Sequence, residues 1–254
     1  MQYSHNLPFY KRKVTQIMEN MKKFGLFLLT VFTTLGFTAC NDDDGDYPKN
    51  TPLITTICPL DGGDYYFQRD NGEKLYPSDK SRVPGYKPDP ERSRRAIIWF
   101  SLLDESIPGY RYNIALYAVE EIYTGTSEVV EDAARLEELG NAKTGFQLNT
   151  FNLSQEWLTF YALYSVRDNS RHTFTLAVDK TGTTEFRESE EGYLDVVVLH
   201  DDGDDAHGTD YGFYVSFDLT PLAAELEGKK GINLLIPTRE NGNQELKFDL
   251  PQEK

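Results

Sequence analysis

The sequence predicts an all-β protein made of two consecutive domains, a small closed antiparallel barrel and then a β-sandwich. Three observations carry that reading. Between residue 52 and residue 131, runs of strand length alternate with turn signals, giving about five strands in roughly eighty residues, which suits a small closed barrel. After Gly140-Asn141 the pattern restarts, with candidate strands at 145–149, 157–166, 172–179, 193–200, 211–219, 231–237 and 244–250. Short strands at that spacing are the pattern of an immunoglobulin-like antiparallel β-sandwich. Aromatic residues make up 13% of the chain, too many for a disordered polymer.

In chain order, residues 1–20 are polar and carry Lys11, Arg12 and Lys13, so they read as an extension upstream of the true start at Met21. Met21 to Cys40 follows as MKKFGLFLLTVFTTLGFTAC. Lys22 and Lys23 make a positive n-region, Phe24 to Phe37 an uncharged apolar run, and Thr38-Ala39-Cys40 a small-residue site ending in cysteine. This is the layout of a secretory signal (residues 21–39), too short for a membrane span and ending as a lipoprotein signal peptidase requires. Cleavage would leave Cys40 as a lipid-modified N-terminus, and two or three acyl chains suffice to hold a protein on a membrane.

Residues 40–51 then read as a solvated acidic tether, with Asp42, Asp43, Asp44 and Asp46 close together. A calcium loop would need a bidentate Glu at its twelfth position, and none is there. An acidic run directly after the lipid cysteine instead resembles the export tag of surface lipoproteins of some Gram-negative bacteria. The expectation is an outer-membrane protein facing outward.

From Cys40 onward the chain carries 21 basic against 40 acidic side chains, a balance of −19. Nucleic-acid binding requires Lys and Arg to neutralise phosphates, so that partner class is excluded from the expectation. With Cys40 carrying lipid, Cys58 has no intramolecular partner and no disulfide framework is expected. It lies in the strand-like run Pro52 to Cys58 and reads as a small buried hydrophobe.

Within the barrel (residues 52–131), Tyr65 to Arg69 and Glu73 to Tyr76 form a hairpin turned by Asn71-Gly72, whose positive φ a tight turn needs. Residues 77–96 are a proline-punctuated loop, the one basic stretch of an acidic chain. Prolines 84, 88 and 90 suit a solvated connector. The sharper reading is an anion-contacting loop using Arg94 and Arg95, with Tyr86 as a stacking platform. Ile97 to Leu103, Tyr110 to Val119 and Glu120 to Val130 complete the barrel, the last interrupted at Thr124-Gly125-Thr126. Residues 132–142 are read as a linker of helical character, stopped by Gly140, before the sandwich at residues 143–254.

Several segments together resemble the NigD-like lipoproteins: the lipobox with its Asp run, Asp70 to Ser78, Phe100 to Asp104, Tyr112 to Ile114, Leu139 to Asn141, Gly192 to Leu194, and Tyr214 to Leu222. The resemblance implies an N-terminal OB-like domain and a C-terminal β-sandwich, in agreement with the strand count. It implies no catalytic residues and no cofactor beyond the lipid on Cys40. The helical, Ala- and Glu-rich stretch Glu131 to Leu139 departs from the family pattern.

Candidate chemistry is sparse. His200, Asp202, Asp204 and His207 crowd one loop and offer a calcium- or zinc-like ligand set. Their spacing matches neither an EF-hand nor HExxH, and Asp-Gly clusters are also ordinary hairpin tips. His172 shares parity with Phe174, Leu176 and Val178 and reads as a half-buried edge histidine. No G-x-S-x-G, S-x-x-K or phosphate-cradling Gly-rich loop occurs, so the expectation is a protein without catalysis. Two non-enzymatic classes remain. One is a glycan-binding module using Tyr66, Trp99 and Tyr117 as stacking rings, together with Tyr65 and Tyr123. The other is a bacteriocin-associated protection or assembly protein that meets a protein partner by a sheet edge.

Overall fold

The computed structural model describes residues 52–89, 93–140, 142, 145–168, 172–187, 189–205 and 208–251. Met21 to Cys40, the acidic tether and His207 lie outside the described residues.

The first domain is a ring of five strands: β1 (Pro52–Pro59), β2 (Tyr65–Gln68), β3 (Lys74–Asp79), β4 (Arg95–Leu102) and β5 (Tyr112–Val130). β1 pairs with β2 and β4, β2 with β3, and β5 closes the circle by lying parallel to β3 and antiparallel to β4. The β2–β3 hairpin turns at Asn71-Gly72, with Gly72 at φ 84° and the Asn71 amide oxygen accepting from Glu73 N–H. Ile57, Phe67, Leu75, Ile98, Phe100 and Ile114 fill the barrel. Their alternation along each strand leaves the opposite parity facing outward.

The sandwich comprises β6 (Gln147–Leu153), β7 (Trp157–Val166), β8 (Thr173–Asp179), β9 (Tyr193–Asp201), β10 (Thr209–Asp218), β11 (Gly231–Thr238) and β12 (Gly242–Asp249). One sheet runs β6-β7-β10 and the other β12-β11-β9-β8. Phe160, Phe174, Val196, Val215, Phe217 and Leu234 lie in the core between them. The hairpin pairs are antiparallel, but β10 and β8 each meet β5 in parallel, and β9 meets β11 in parallel.

β5 is the element that joins everything. Its 19 residues span about 60 Å at the usual strand rise. Tyr112 to Ile122 belongs to the barrel, Tyr123 to Gly125 pairs with β10, and Thr126 to Val130 pairs with β8. The expected interruption at Thr124-Gly125-Thr126 is therefore absent, and one continuous strand replaces two. Gly125 serves a close approach instead. A Cβ there would sit 2.4 Å from the Phe217 ring and 2.8 Å from the Phe174 carbonyl oxygen. Ring and backbone are both locked in the core, so Gly125→Ala should cost about 2 kcal/mol, read as a lowered urea midpoint at unchanged slope.

The helical character expected within residues 132–142 takes the form of one short helix ending at Gly140. α1 (Ala133–Leu139) is capped by Asp132, whose carboxylate accepts from Ala134 N–H. Leu136 and Leu139 pack on Ala177, Val197 and Leu235, the outward side of the β8-β9-β11 sheet. This stretch is a helix docked on the sandwich.

Candidate functional site: the tyrosine face of the barrel

Outward parity on β2 and β3 brings Tyr66, Lys74 and Tyr76 to one face, the side on which OB barrels hold their ligands. Tyr110, in the turn before β5, joins them because Arg111 N–H donates to the Lys74 carbonyl and draws that turn alongside β3. The Tyr66 and Tyr110 rings lie 5.5 Å apart, edge to face, and Tyr76 and Tyr110 lie 4.9 Å apart. Lys74 Nζ sits 5.3 Å from the Tyr66 ring, and Lys80 Nζ 5.5 Å from the Tyr76 ring. Asp64 anchors the edge: it accepts from the Tyr76 hydroxyl at 2.6 Å and pairs with Lys80.

Electrostatics keep this face phenolic and cationic. Burial, then the neighbouring Cys58, pushes the Tyr66 hydroxyl up to about 12. Partial burial pulls the Asp64 carboxyl upward, but hydrogen bonds from Lys80 and Tyr76 outweigh it and hold the carboxyl below its ordinary range. Cys58 is raised by burial, only partly offset by Tyr66 and Lys74, so it stays a thiol. The result is a half-buried aromatic surface with two ammonium groups over its rings.

The other expected site residues disperse. Tyr117 is half-buried, bonded to Ser101 at 2.6 Å and covered by the Arg82 guanidinium 4.7 Å from its ring. Trp99 lies half-buried on the outer face of β4, opposite Ala118 and Pro52. Tyr86 packs into the barrel core, 5.4 Å from Tyr65, where burial and the Glu121 charge raise its hydroxyl.

Arg94 and Arg95 turn toward the sandwich, not toward an external anion. Arg95 is fully buried and grips the Asp70 carboxylate through both terminal nitrogens, at 2.5 and 3.1 Å, with Thr56 as a further acceptor. Arg94 pairs with Asp218 of β10. Both guanidiniums lie over Trp157 of β7, at 5.2 Å and 5.0 Å. The Arg94 charge is spent on the sandwich and the Arg95 charge on the barrel's own Asp70, while both guanidiniums cover Trp157.

The acidic loop is a turn. The Asp201 carboxylate accepts from Gly203 N–H, the Asp202 carboxylate from Asp204 N–H, and Asp204 takes φ 58°. Among the described residues no group of three or more side chains is placed to hold a metal ion. His200 points into the sandwich, where its Nε2 lies 2.8 Å from His172 Nδ1 and its ring stacks on Phe174. His172 Nε2 in turn lies 3.2 Å from Asp205 Oδ2, which also accepts from Arg167 and Asp168 N–H. One proton is shared between His172 Nδ1 and His200 Nε2, and His200 Nδ1 has no partner among the described residues. His172 is thus fully buried, not half-buried at an edge.

Comparison with known proteins agrees with this architecture. Residues 54–122 match the NigD-like N-terminal OB domain, and residues 128–250 match the NigD-like C-terminal β-sandwich domain. The chain belongs to the NigD-like family. The first match ends and the second begins within β5. A protein of unknown function from Bacteroides vulgatus is similar in structure, with TM-score 0.64 and 19% identity over 80% of this chain and 91% of that one. A protein provisionally named a lipoprotein from Bacteroides fragilis has TM-score 0.56 at 15% identity, covering 82% and 99%. A NigD-like immunity protein from Bacteroides caccae has TM-score 0.54 at 21% identity, covering 80% and 93%. No curated protein gives a significant match.

Tyr66 is the one residue of this face that the sequence offered as a stacking ring. The partners Tyr76 and Lys74 carried a signal in their shared strand parity within the same hairpin. Tyr110 carried none, because its place depends on the β3–β5 pairing.

Proposed function

We propose that this NigD-like chain is a lipid-anchored, outward-facing accessory protein of the outer membrane, which binds a protein partner through the tyrosine face of its barrel and catalyses no reaction. The observation that carries the reading is the Tyr66–Tyr110–Tyr76 cluster with Lys74 and Lys80 over its rings. Tyrosines of this kind are the usual anchors of protein interfaces, with a large ring buried at little entropic cost and a hydroxyl left to bond. A sugar ring needs a bare aromatic face, and here the chain's own ammonium groups lie over the faces of Tyr66 and Tyr76. The name of the Bacteroides caccae protein supports a protein partner, and that of the Bacteroides fragilis protein supports anchoring.

Anchoring is tested by Cys40→Ser, which should abolish metabolic labelling with palmitate and release the protein from the envelope. Unchanged labelling would contradict lipidation at Cys40. A glycan array separates the two binding classes: a flat profile agrees with a protein partner. Saturable sugar binding lost in Tyr66→Ala would assign the face to glycans.

A further inference from the structure

A second aromatic site lies where the barrel meets the sandwich. On the outward face of the β6-β7-β10 sheet, Tyr161 and Tyr214 stand opposite each other in the β7–β10 pairing, their rings 4.8 Å apart and tilted by 56°. Tyr161 lies across Gly212: a Cβ at that position would fall 2.0 Å from the Tyr161 hydroxyl and 2.8 Å from the ring carbon bearing it. Glycine therefore leaves the room that fixes this ring against the strand. From the barrel side comes exposed Glu120 of β5, three residues before Tyr123, which pairs in parallel with Val215, the neighbour of Tyr214. Burial, then Tyr161 and Glu120, raises the Tyr214 hydroxyl.

Several of the chain's other rings are covered by its own cations. Lys74, Lys80, Arg82 and Arg111 lie over Tyr66, Tyr65, Tyr76, Tyr117 and Tyr112, and two arginines lie over Trp157. Among the described residues no cation lies over Tyr161 or Tyr214, and no ion pair engages Glu120. Two tilted rings and an unpaired carboxylate are the elements of a cation site. The charge of the domain points the same way: residues 123–254 hold 25 acidic against 11 basic side chains, while residues 52–122 hold 11 against 9. Corners between domains are also preferred places for ligands.

We propose that Tyr161, Tyr214 and Glu120 form a receptor for an arginine or lysine side chain of a basic protein partner. The guanidinium or ammonium group lies against the outward side of the contacting ring pair and pairs with the carboxylate. The site shares no residue with the tyrosine face of the barrel, so either stands if the other falls.

The probe is an acetylated, amidated hexa-arginine peptide titrated calorimetrically into the chain from Cys40 onward at 150 mM salt. The wild type should bind saturably. Glu120→Gln should weaken binding about tenfold, whereas the charge-matched Glu227→Gln, exposed beyond β10, changes it less than twofold. Tyr214→Phe should keep the affinity and Tyr214→Leu lose about tenfold, the scale of one desolvated cation–ring contact. Tyr66→Ala should leave all of this unchanged. Equal losses in Glu120→Gln and Glu227→Gln would show diffuse attraction to an acidic chain and overturn the site. So would the absence of saturable binding. If Tyr214→Leu fails to fold, the Glu120 and Glu227 pair decides alone, since both side chains are exposed.

Discussion

Replacing Arg95 by methionine should lower the unfolding free energy by about 3 kcal/mol and loosen the barrel from the sandwich. Arg95 is the largest buried cation among the described residues, and its removal strands Asp70 beside the domain junction. Removing one partner of a buried pair costs 3–5 kcal/mol as a rule, because the other charge keeps its desolvation penalty. The lower end applies, because the Asp70 side chain retains 22% exposure. Asp70 is also bonded to Asn152 of β6, so the loss reaches the sandwich directly. The double variant Arg95→Met with Asp70→Asn should recover part of the loss, since no lone charge then remains. Urea unfolding of the four forms measures the coupling. A coupling within 0.5 kcal/mol of zero would show that the pair holds nothing together.

Acid should destabilise the sandwich in a window set by His200. Burial, then the adjoining His172 ring, pulls His200 down to about 4, against an ordinary value of 6.5. In the unfolded chain the imidazole takes up a proton below 6.5, while in the folded chain it resists until about 4. The unfolded state therefore binds more protons between those values, so stability is fully present above 6.5, falls as pH drops through the window, and levels off below about 4. At about 1.4 kcal/mol per unit the whole fall is roughly 3 kcal/mol. The carboxylates held low act further down: Asp179 is carried to about 2 by bonds from Thr181 and Thr184 that outweigh its partial burial. His200→Phe keeps the ring contacts with Phe146 and Phe174 and removes the titration. Melts at pH 7 and pH 4.5 should then lie closer together in the variant than in the wild type. Equal pH shifts in both would clear His200 of the effect.

How much of this was written locally differs from element to element. β7 begins and ends where its alternation does, at Trp157 and Val166, and the β2–β3 hairpin sits on its Asn-Gly turn. The hairpin follows from contacts near in sequence, and β7 from the apolar side it turns to the core. Gly125 misled because a glycine between threonines reads as a break. Only the packing of Phe217 from a strand some ninety residues later shows that it is a crossing point. The basic character of residues 77–96 was visible, but Asp70, Asp218 and Trp157, which consume Arg94 and Arg95, come from three distant elements. The same holds for His172, His200 and Asp205, which meet only once β8, β9 and the following turn are assembled. Periodicity reports which side of a strand is apolar, and it is silent about which polar groups meet across the core.

The central claim, a protein partner engaged by the barrel's tyrosine face, is met most directly by cross-linked copurification from intact envelopes. Wild type should bring down one defined envelope protein, and the double variant Tyr66→Ala with Tyr110→Ala should lose it while melting within a few degrees of wild type. Recovery of the same partner in equal yield by the double variant would contradict the account.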